Sequence, residues 1–189
     1  FFGYLSSRPM LNEYEYVMAG DQEVQHEELF LVDTTDKKLI KVSVEKWPDQ
    51  TLRLFTPGKK VNSLYFLRKK RTCDEIDFCK VDLKTGEVKV LINEISKPYF
   101  NNDFFHLSLL NEGKDIIWWS ERTGHGHFYH YDGEGNLKNA ITSGNWTAGK
   151  MVKIDTVGRT IYFGAYGQEK GACPYYARVN KARIDGNGQ

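Results

Sequence analysis

The 189-residue chain reads as all-β, a partial β-propeller built from four-stranded antiparallel blades, and three observations lead there. Short apolar runs alternate with polar residues, similar segments recur at nearly constant spacing, and compact Asp, Asn and Gly turns separate the runs. Alternation with period two marks a half-buried strand, and helical periodicity is scarce. The runs are rich in β-branched and aromatic residues, which suit a pleated surface. The recurrence carries more weight, because self-similarity at a fixed period decides architecture. Aligning Asp33, Asp82, Asp132 and Asn180 gives spacings of 49 (82 − 33), 50 (132 − 82) and 48 (180 − 132). Four-stranded units repeating every ~40–50 residues are propeller blades.

In chain order, "YEYVM" (14–18) is the first expected strand, followed by the anchor segment "LFLVDTTDKKL" (29–39) and the run "KLIKVSV" (38–44). The second unit holds "SLYFL" (63–67), the anchor "FCKVDLKTGEV" (78–88) and "EVKVLIN" (87–93). The third holds "FHLSLL" (105–110), "DIIWW" (115–119), the anchor "FYHYDGEGNL" (128–137) and a closing strand in "LKNAITSGNW" (137–146). The fourth holds "TIYFGAY" (160–166) and "YARVNKARIDG" (176–186). The turns "DLKTGEV", "LNEGKD" and "DGEGNL" suit hairpins whose tips need positive φ. We expect blade-like units at 1–47, 48–97, 98–147 and 148–189, the first lacking its leading strands and the last its closing one: about three and a half blades within one propeller domain.

Charge is balanced, with 26 Lys+Arg against 25 Asp+Glu and a formal net charge of +1. That balance argues against a nucleic-acid or anionic-lipid partner, since phosphate neutralisation needs a basic surplus. No window reaches the ~18 uninterrupted apolar residues of a membrane helix. The opening "FFGYLSSRPM" lacks the cationic n-region and long apolar core of a signal peptide, so any address signal is expected elsewhere. Cys73, Cys79 and Cys173 are too scattered for a disulfide framework or zinc knuckle. Buried or free thiols are expected for Cys73 and Cys79, with their pairing in an oxidising compartment as the alternative.

Three of the five histidines, His125, His127 and His130, invite a metal reading. They sit on a hairpin, where positions three apart face opposite ways, so His127 and His130 diverge. At most His125 and His127 converge, whereas catalytic zinc takes three protein ligands and structural zinc four. His26 and His106 are too remote in the repeat to complete a set. No metal site is expected, and no cofactor. "DGEGN" lacks the acidic ladder and the terminal Glu of a calcium loop. The basic run "LRKKRT" (67–72), followed by "CDEID", reads as a charge-compensated hairpin tip. Asn145-Trp146-Thr147 matches a glycosylation sequon that matters only in a eukaryotic secretory setting, and Trp146 reads as packing.

"SERTGHGHFYHYDGEGNLKNAITSGNW" (120–146) resembles the blade signature of the dipeptidyl peptidase IV-like propeller, in which a Ser-x-x-x-Gly-x-x-His/aromatic-aromatic hairpin leads to ITSG-W. "RPMLNEYEYVMAGDQEVQHEELFLVD" (8–33) is similar to a stretch of these peptidases, although "MAGDQ" lacks the proline often found at its turn. The resemblance spans essentially the whole chain. It implies part of an eight-bladed propeller from a bacterial S9-type serine peptidase, periplasmic or extracellular, acting on peptide substrates beside an α/β-hydrolase domain of the same polypeptide. Homo-oligomerisation is expected on a separate ground, since an incomplete ring exposes two blade faces and unpaired strand edges at its ends.

Carried over residue by residue, the resemblance places no catalytic residue in this chain. None of Ser6, Ser7, Ser43, Ser63, Ser96, Ser108, Ser120 or Ser143 sits in a G-x-S-x-G elbow. Glu27-Glu28 superficially matches the family's paired glutamates, but adjacent strand residues face opposite ways and cannot jointly hold an ammonium. "KPYFNND" (97–103) resembles a loop that sends an aromatic residue toward the substrate pocket in some members, which makes Phe100 the substrate-side candidate. The plainer alternative is that Tyr99 and Phe100 close a blade junction. The resemblance therefore implies a non-catalytic segment that gates and walls a peptidase active site. A propeller scaffold for protein or ligand binding is the other function class, since one fold hosts many functions.

Overall fold

The computed structural model describes residues 11, 13, 14, 18, 20, 21, 23–57 and 63–188. The strands described form four antiparallel sheets that follow one another along the chain. β1 (Phe30–Val32) and β2 (Leu39–Lys41) make a two-stranded hairpin. β3 (Thr51–Phe55), β4 (Leu64–Lys69), β5 (Glu75–Val81) and β6 (Val88–Ile95) pair in chain order. So do β7 (Leu107–Leu110), β8 (Asp115–Ser120), β9 (His127–Asp132) and β10 (Leu137–Ala140). β11 (Thr147–Asp155), β12 (Thr160–Tyr166) and β13 (Arg178–Arg183) make a three-stranded sheet. No sheet closes on itself, and the arrangement is a partial β-propeller.

Hydrophobic clusters join successive sheets face to face. Val42 and Val44, just past β2, pack on Phe66, Cys79 and Val81. Tyr65, Leu67, Ile76 and Phe78 pack on Ile116, Trp118, Tyr129 and Tyr131 of the third sheet. The opposite face of that sheet, with Ile117, Trp119 and Phe128, packs on Ile161, Phe163 and Ala182 of the fourth. β8 is therefore buried on both faces, which explains why "DIIWWS" reads as a near-continuous apolar run rather than an alternating one. Burying one such large apolar side chain contributes about 1.5–3 kcal/mol, so these contacts are what make separate meanders adhere.

The anchors explain themselves in three of four units. Each aspartate stands at the end of a strand, β1, β5 or β9, and accepts backbone N–H groups of the following turn: Asp33 Oδ1 from Thr35, Asp82 Oδ1 from Lys84 and Thr85, Asp132 Oδ1 from Glu134 and Asn136. The backbone of each closes the same turn, as in Asp82 N–H to Glu87 O at 2.9 Å and Asp132 N–H to Asn136 O at 2.9 Å. In the fourth unit this bond runs from Arg183 N–H to Asn187 O, so Arg183 is the structural equivalent. Asn180 instead lies inside β13 opposite Phe163, which corrects the alignment by three residues. Asp185 supplies the carboxylate for that turn, accepting from Asn187 N–H.

Several strand boundaries differ from expectation. "LKNAITSGNW" is strand only to Ala140, because the Ile141 and Thr142 N–H groups both turn onto Phe128 O and Gly144 takes φ +128°. "KLIKVSV" is strand only to Lys41, although Val42 N–H still bonds Leu29 O at 2.9 Å before Ser43 N–H turns to Gly86 O. β3 and β11 were absent from the expected strands; β11 carries register shifts between Ala148 and Lys153 that break its alternation. "YEYVM" lies outside the described residues except Tyr14 and Met18, which belong to no strand.

Candidate functional site

Strand direction decides which loops share a side of the molecule. In an up-and-down meander, the links between second and third strands and those from one blade to the next emerge together. Here these are 70–74, 121–126 and 167–177, with 42–50, 96–106 and 141–146. The remaining described turns, 33–38, 82–87, 111–114, 133–136 and 156–159, emerge opposite. We call these the linker face and the turn face. Two hydrogen bonds tie linker-face loops together: Ser96 N–H to Asp74 O at 2.9 Å and Phe100 N–H to Cys73 O at 2.8 Å.

On the linker face a cleft of about 740 Å³ opens between 96–103 and the β8–β9 tip, with Lys97, Tyr99, Asn101, Asp103 and Glu121 on its walls. Phe100 lines it too, but its side chain is 5% exposed and belongs to the cluster joining the second and third sheets. The ring presented to solvent is Tyr99, at 63% exposure. Burial raises the Glu121 carboxyl above its ordinary range, the backbone N–H of Asn101 pulls it back, and the nearby Glu94 charge raises it further.

Buried Glu94 of β6, whose charge acts on Glu121, receives Trp118 Nε1–H at 2.6 Å, Arg122 Nη2–H at 2.8 Å and the Ser120 hydroxyl. Arg122 also lies over the Tyr129 ring, 4.4 Å from its centroid. One carboxylate thus fixes the second sheet to the tip of the third. The sequence singled out neither Glu94 nor Glu121. Glu94 sits where the β6 pattern calls for an apolar residue, and that break was its only signal.

The other candidate groups are occupied within the protein. His127 bonds Thr142 Oγ1 at 3.1 Å and Gly144 O at 3.0 Å, with Trp146 edge-on to its ring. His130 Nε2 bonds Asp115 Oδ1 at 2.6 Å. Burial lowers the His127 pKa. Among the described residues no three His, Cys, Asp or Glu side chains converge. Asp132 of "DGEGN" spends its oxygens on its own turn, including Asn136 Nδ2–H at 2.9 Å. Glu27 Oε2 accepts from Leu52 N–H at 2.5 Å, while Glu28 pairs with Lys41, so the two carboxylates serve separate partners. In the basic run, Arg68 is buried against Asp77 at 2.8 Å, and Lys70 pairs with Asp74. The three cysteines are unpaired, and burial pushes the Cys79 thiol up to about 12.

The model of the dipeptidyl peptidase IV (DPP IV) N-terminal region matches residues 3–189. The chain belongs to the DPP IV N-terminal region family. Two solved structures share the fold of this DPP IV N-terminal region. Porphyromonas gingivalis dipeptidyl peptidase 4 aligns over 98% of this chain at 23% identity, with a TM-score of 0.77. A provisional dipeptidyl aminopeptidase IV from Bacteroides ovatus ATCC 8483 aligns over 97% at 19% identity, with a TM-score of 0.68. The chain spans 26% and 28% of those two proteins, about a quarter of their length. Among the described residues of this DPP IV N-terminal region no helix is long and apolar enough to cross a membrane.

Proposed function

We propose that this chain is the non-catalytic propeller segment of a dipeptidyl peptidase IV-like serine peptidase, walling and gating the site at which a separate α/β-hydrolase domain of the same polypeptide cleaves peptides. Membership of the DPP IV N-terminal region family carries the proposal. The linker-face cleft supports it physically, being open, polar at the rim and aromatic at one side, as suits a wall passed by short peptides. In this reading the 97–103 loop is the substrate-side element. Phe100 is its anchor in the core, and Tyr99 is the ring turned outward. A periplasmic or extracellular setting belongs to the same proposal.

The full-length polypeptide is expected to hydrolyse Xaa-Pro amides and to lose that activity after treatment with a serine-directed fluorophosphonate. The isolated 189-residue chain is expected to be inert, because it contains no G-x-S-x-G elbow. Turnover by the isolated chain, or none by the full-length polypeptide, contradicts the proposal; the second outcome favours a propeller serving as a binding scaffold.

A further inference from the structure

Among the described residues, every arginine but one has an oxygen partner. Arg68, Arg122, Arg159, Arg178 and Arg183 each meet a carboxylate, and Arg71 meets the Met18 carbonyl. The exception is Arg53 of the edge strand β3. Its guanidinium lies over the Phe55 ring, 5.1 Å from the centroid, a contact that leaves its N–H donors unused.

Strand register sets a second cation beside it. Arg53 stands opposite Leu67 and Thr51 opposite Lys69, so Arg53 and Lys69 are diagonal neighbours on one face of the second sheet. This is the face on which Leu67 packs toward Trp118 of the third sheet. Diagonal neighbours lie about 7–8 Å apart, a gap that long side chains span. Lys69 Nζ donates to the neutral Asn102 Oδ1 at 3.0 Å, and no carboxylate among the described residues, Asp103 of the adjacent link included, pairs with either cation.

Both cations bear on the 96–106 link. Lys69 holds Asn102, which lines the linker-face cleft. Arg53 acts on His106, where its charge adds to burial in lowering the pKa to about 4. His106 is therefore neutral near pH 7, bonded to Ser108 Oγ at 2.7 Å, and supplies no counter-charge. Two like charges side by side without a counter-ion repel, and an anion placed between them relieves that repulsion. A guanidinium fork matches the two oxygens of a carboxylate.

We infer that Arg53 and Lys69, beside Asn102, form a carboxylate-binding site at the linker-face cleft that takes an acidic side chain or the free carboxyl terminus of a peptide substrate. The inference rests on the function proposed above and adds to it the class of peptide preferred. The carboxylate belongs to a peptide because the adjoining cleft offers the exposed Tyr99 ring and polar walls along which a chain can lie.

The test measures kcat/KM of the full-length polypeptide on peptides that share one Xaa-Pro amino terminus and carry Glu or Gln in turn at each position after the scissile bond, with free or amidated carboxyl termini. Wild type is expected to favour a carboxylate-bearing peptide over its neutral counterpart by about tenfold, through KM, the scale of one charge-assisted hydrogen bond. Arg53→Gln with Lys69→Gln is expected to abolish the preference and leave kcat/KM of the amidated Gln peptides unchanged, which also shows that the variant folds. Arg53→Lys, which keeps the charge and loses the fork, is expected to retain part of the preference. Lys150→Gln, at an exposed cation of the fourth sheet, is expected to leave it intact. Dependence on the Glu position or on amidation tells a side chain from the terminus. No preference in wild type, or a preference that survives in the double variant, overturns the site. Equal losses for Glu and Gln peptides, or loss of the preference in Lys150→Gln as well, overturn it in favour of a structural role or a general field. Absence of turnover with every peptide overturns the proposed function instead, and with it the peptide as ligand.

Discussion

Gly135, in the β9–β10 turn, approaches Leu91 of β6 so closely that a Cβ built on it would lie 2.1 Å from the Leu91 carbonyl oxygen. The contact joins one blade's outer turn to the backbone of the preceding blade's outer strand. It recurs: Gly86 meets Lys41 O at 2.6 Å and Gly186 meets Ala140 O at 2.6 Å by the same construction. The Gly of "TGE", "EGN" and "DGN" is thus a blade-to-blade spacer as well as a turn residue. Gly135→Ala is expected to cost about 2–4 kcal/mol, combining strain at φ +89° with a backbone clash. Gly124→Ala, also at positive φ but with open space around it, is the control and should cost about 1 kcal/mol. Urea midpoints compare the two, and equal losses would mean that the blade contact is not tight.

The Glu94 cluster yields a second expectation. Glu94→Ala strands the Trp118 and Arg122 donors, and a loss of about 2–4 kcal/mol is expected. Glu94→Gln retains acceptor capacity and should lose less. Near-ultraviolet circular dichroism reports the Trp118 environment directly, and an unaltered spectrum in Glu94→Ala would contradict the role assigned to this carboxylate.

Acid is expected to destabilise the fold in two windows. Burial holds the His106 pKa at about 4, with Arg53 adding to the effect, so the unfolded chain binds a proton there that the folded chain refuses. Stability from this source is full above about pH 6.5 and falls between there and pH 4, and His127 acts in the same direction. Asp115 behaves likewise lower down. Burial works to raise its pKa, but hydrogen bonds from His130, Asn111 and Lys138 outweigh that and hold it at about 2, so its contribution of about 2 kcal/mol is lost from near pH 4 downward. Denaturant midpoints measured from pH 7 to pH 3 should show both falls. His106→Gln should flatten the upper one, and an unchanged slope in that variant would contradict the assignment.

The ends of the arc should be adhesive in the isolated chain. Among the described residues the fourth sheet stops at β13, leaving an edge beside exposed Val179, and the first shows the two strands β1 and β2. Unpaired edges and uncovered apolar faces invite self-association. Light scattering of the isolated chain is expected to show mass rising with concentration, and Val179→Lys to reduce it. A concentration-independent monomer mass would show that the ends are covered from within.

The sequence made the repeat legible because its signal is chemical. Asp33, Asp82 and Asp132 must cap a turn, and Gly86 and Gly135 must fit against a carbonyl. The fourth unit slipped by three residues because Arg183 occupies the anchor position and its carboxylate moved on to Asp185. β3 and β11 escaped notice for different reasons. "TLRLF" is short and half-exposed, and "TAGKMVKID" is interrupted by register shifts. At the cleft, the sequence singled out the 97–103 loop by its aromatics, but only the structure separates the two neighbours: Phe100 turns inward and Tyr99 outward. Glu94 and Glu121 come from different sheets, and no linear pattern brings them together.

The central claim is that this propeller segment walls a peptidase chamber that admits small peptides. It is tested most directly by measuring kcat/KM of the full-length polypeptide across substrates that share one Xaa-Pro amino terminus, from a tripeptide to a folded protein. The account predicts a fall of about 100-fold or more once the substrate is folded, equivalent to a barrier increase of roughly 3 kcal/mol. Equal kcat/KM for the tripeptide and the folded protein would contradict it.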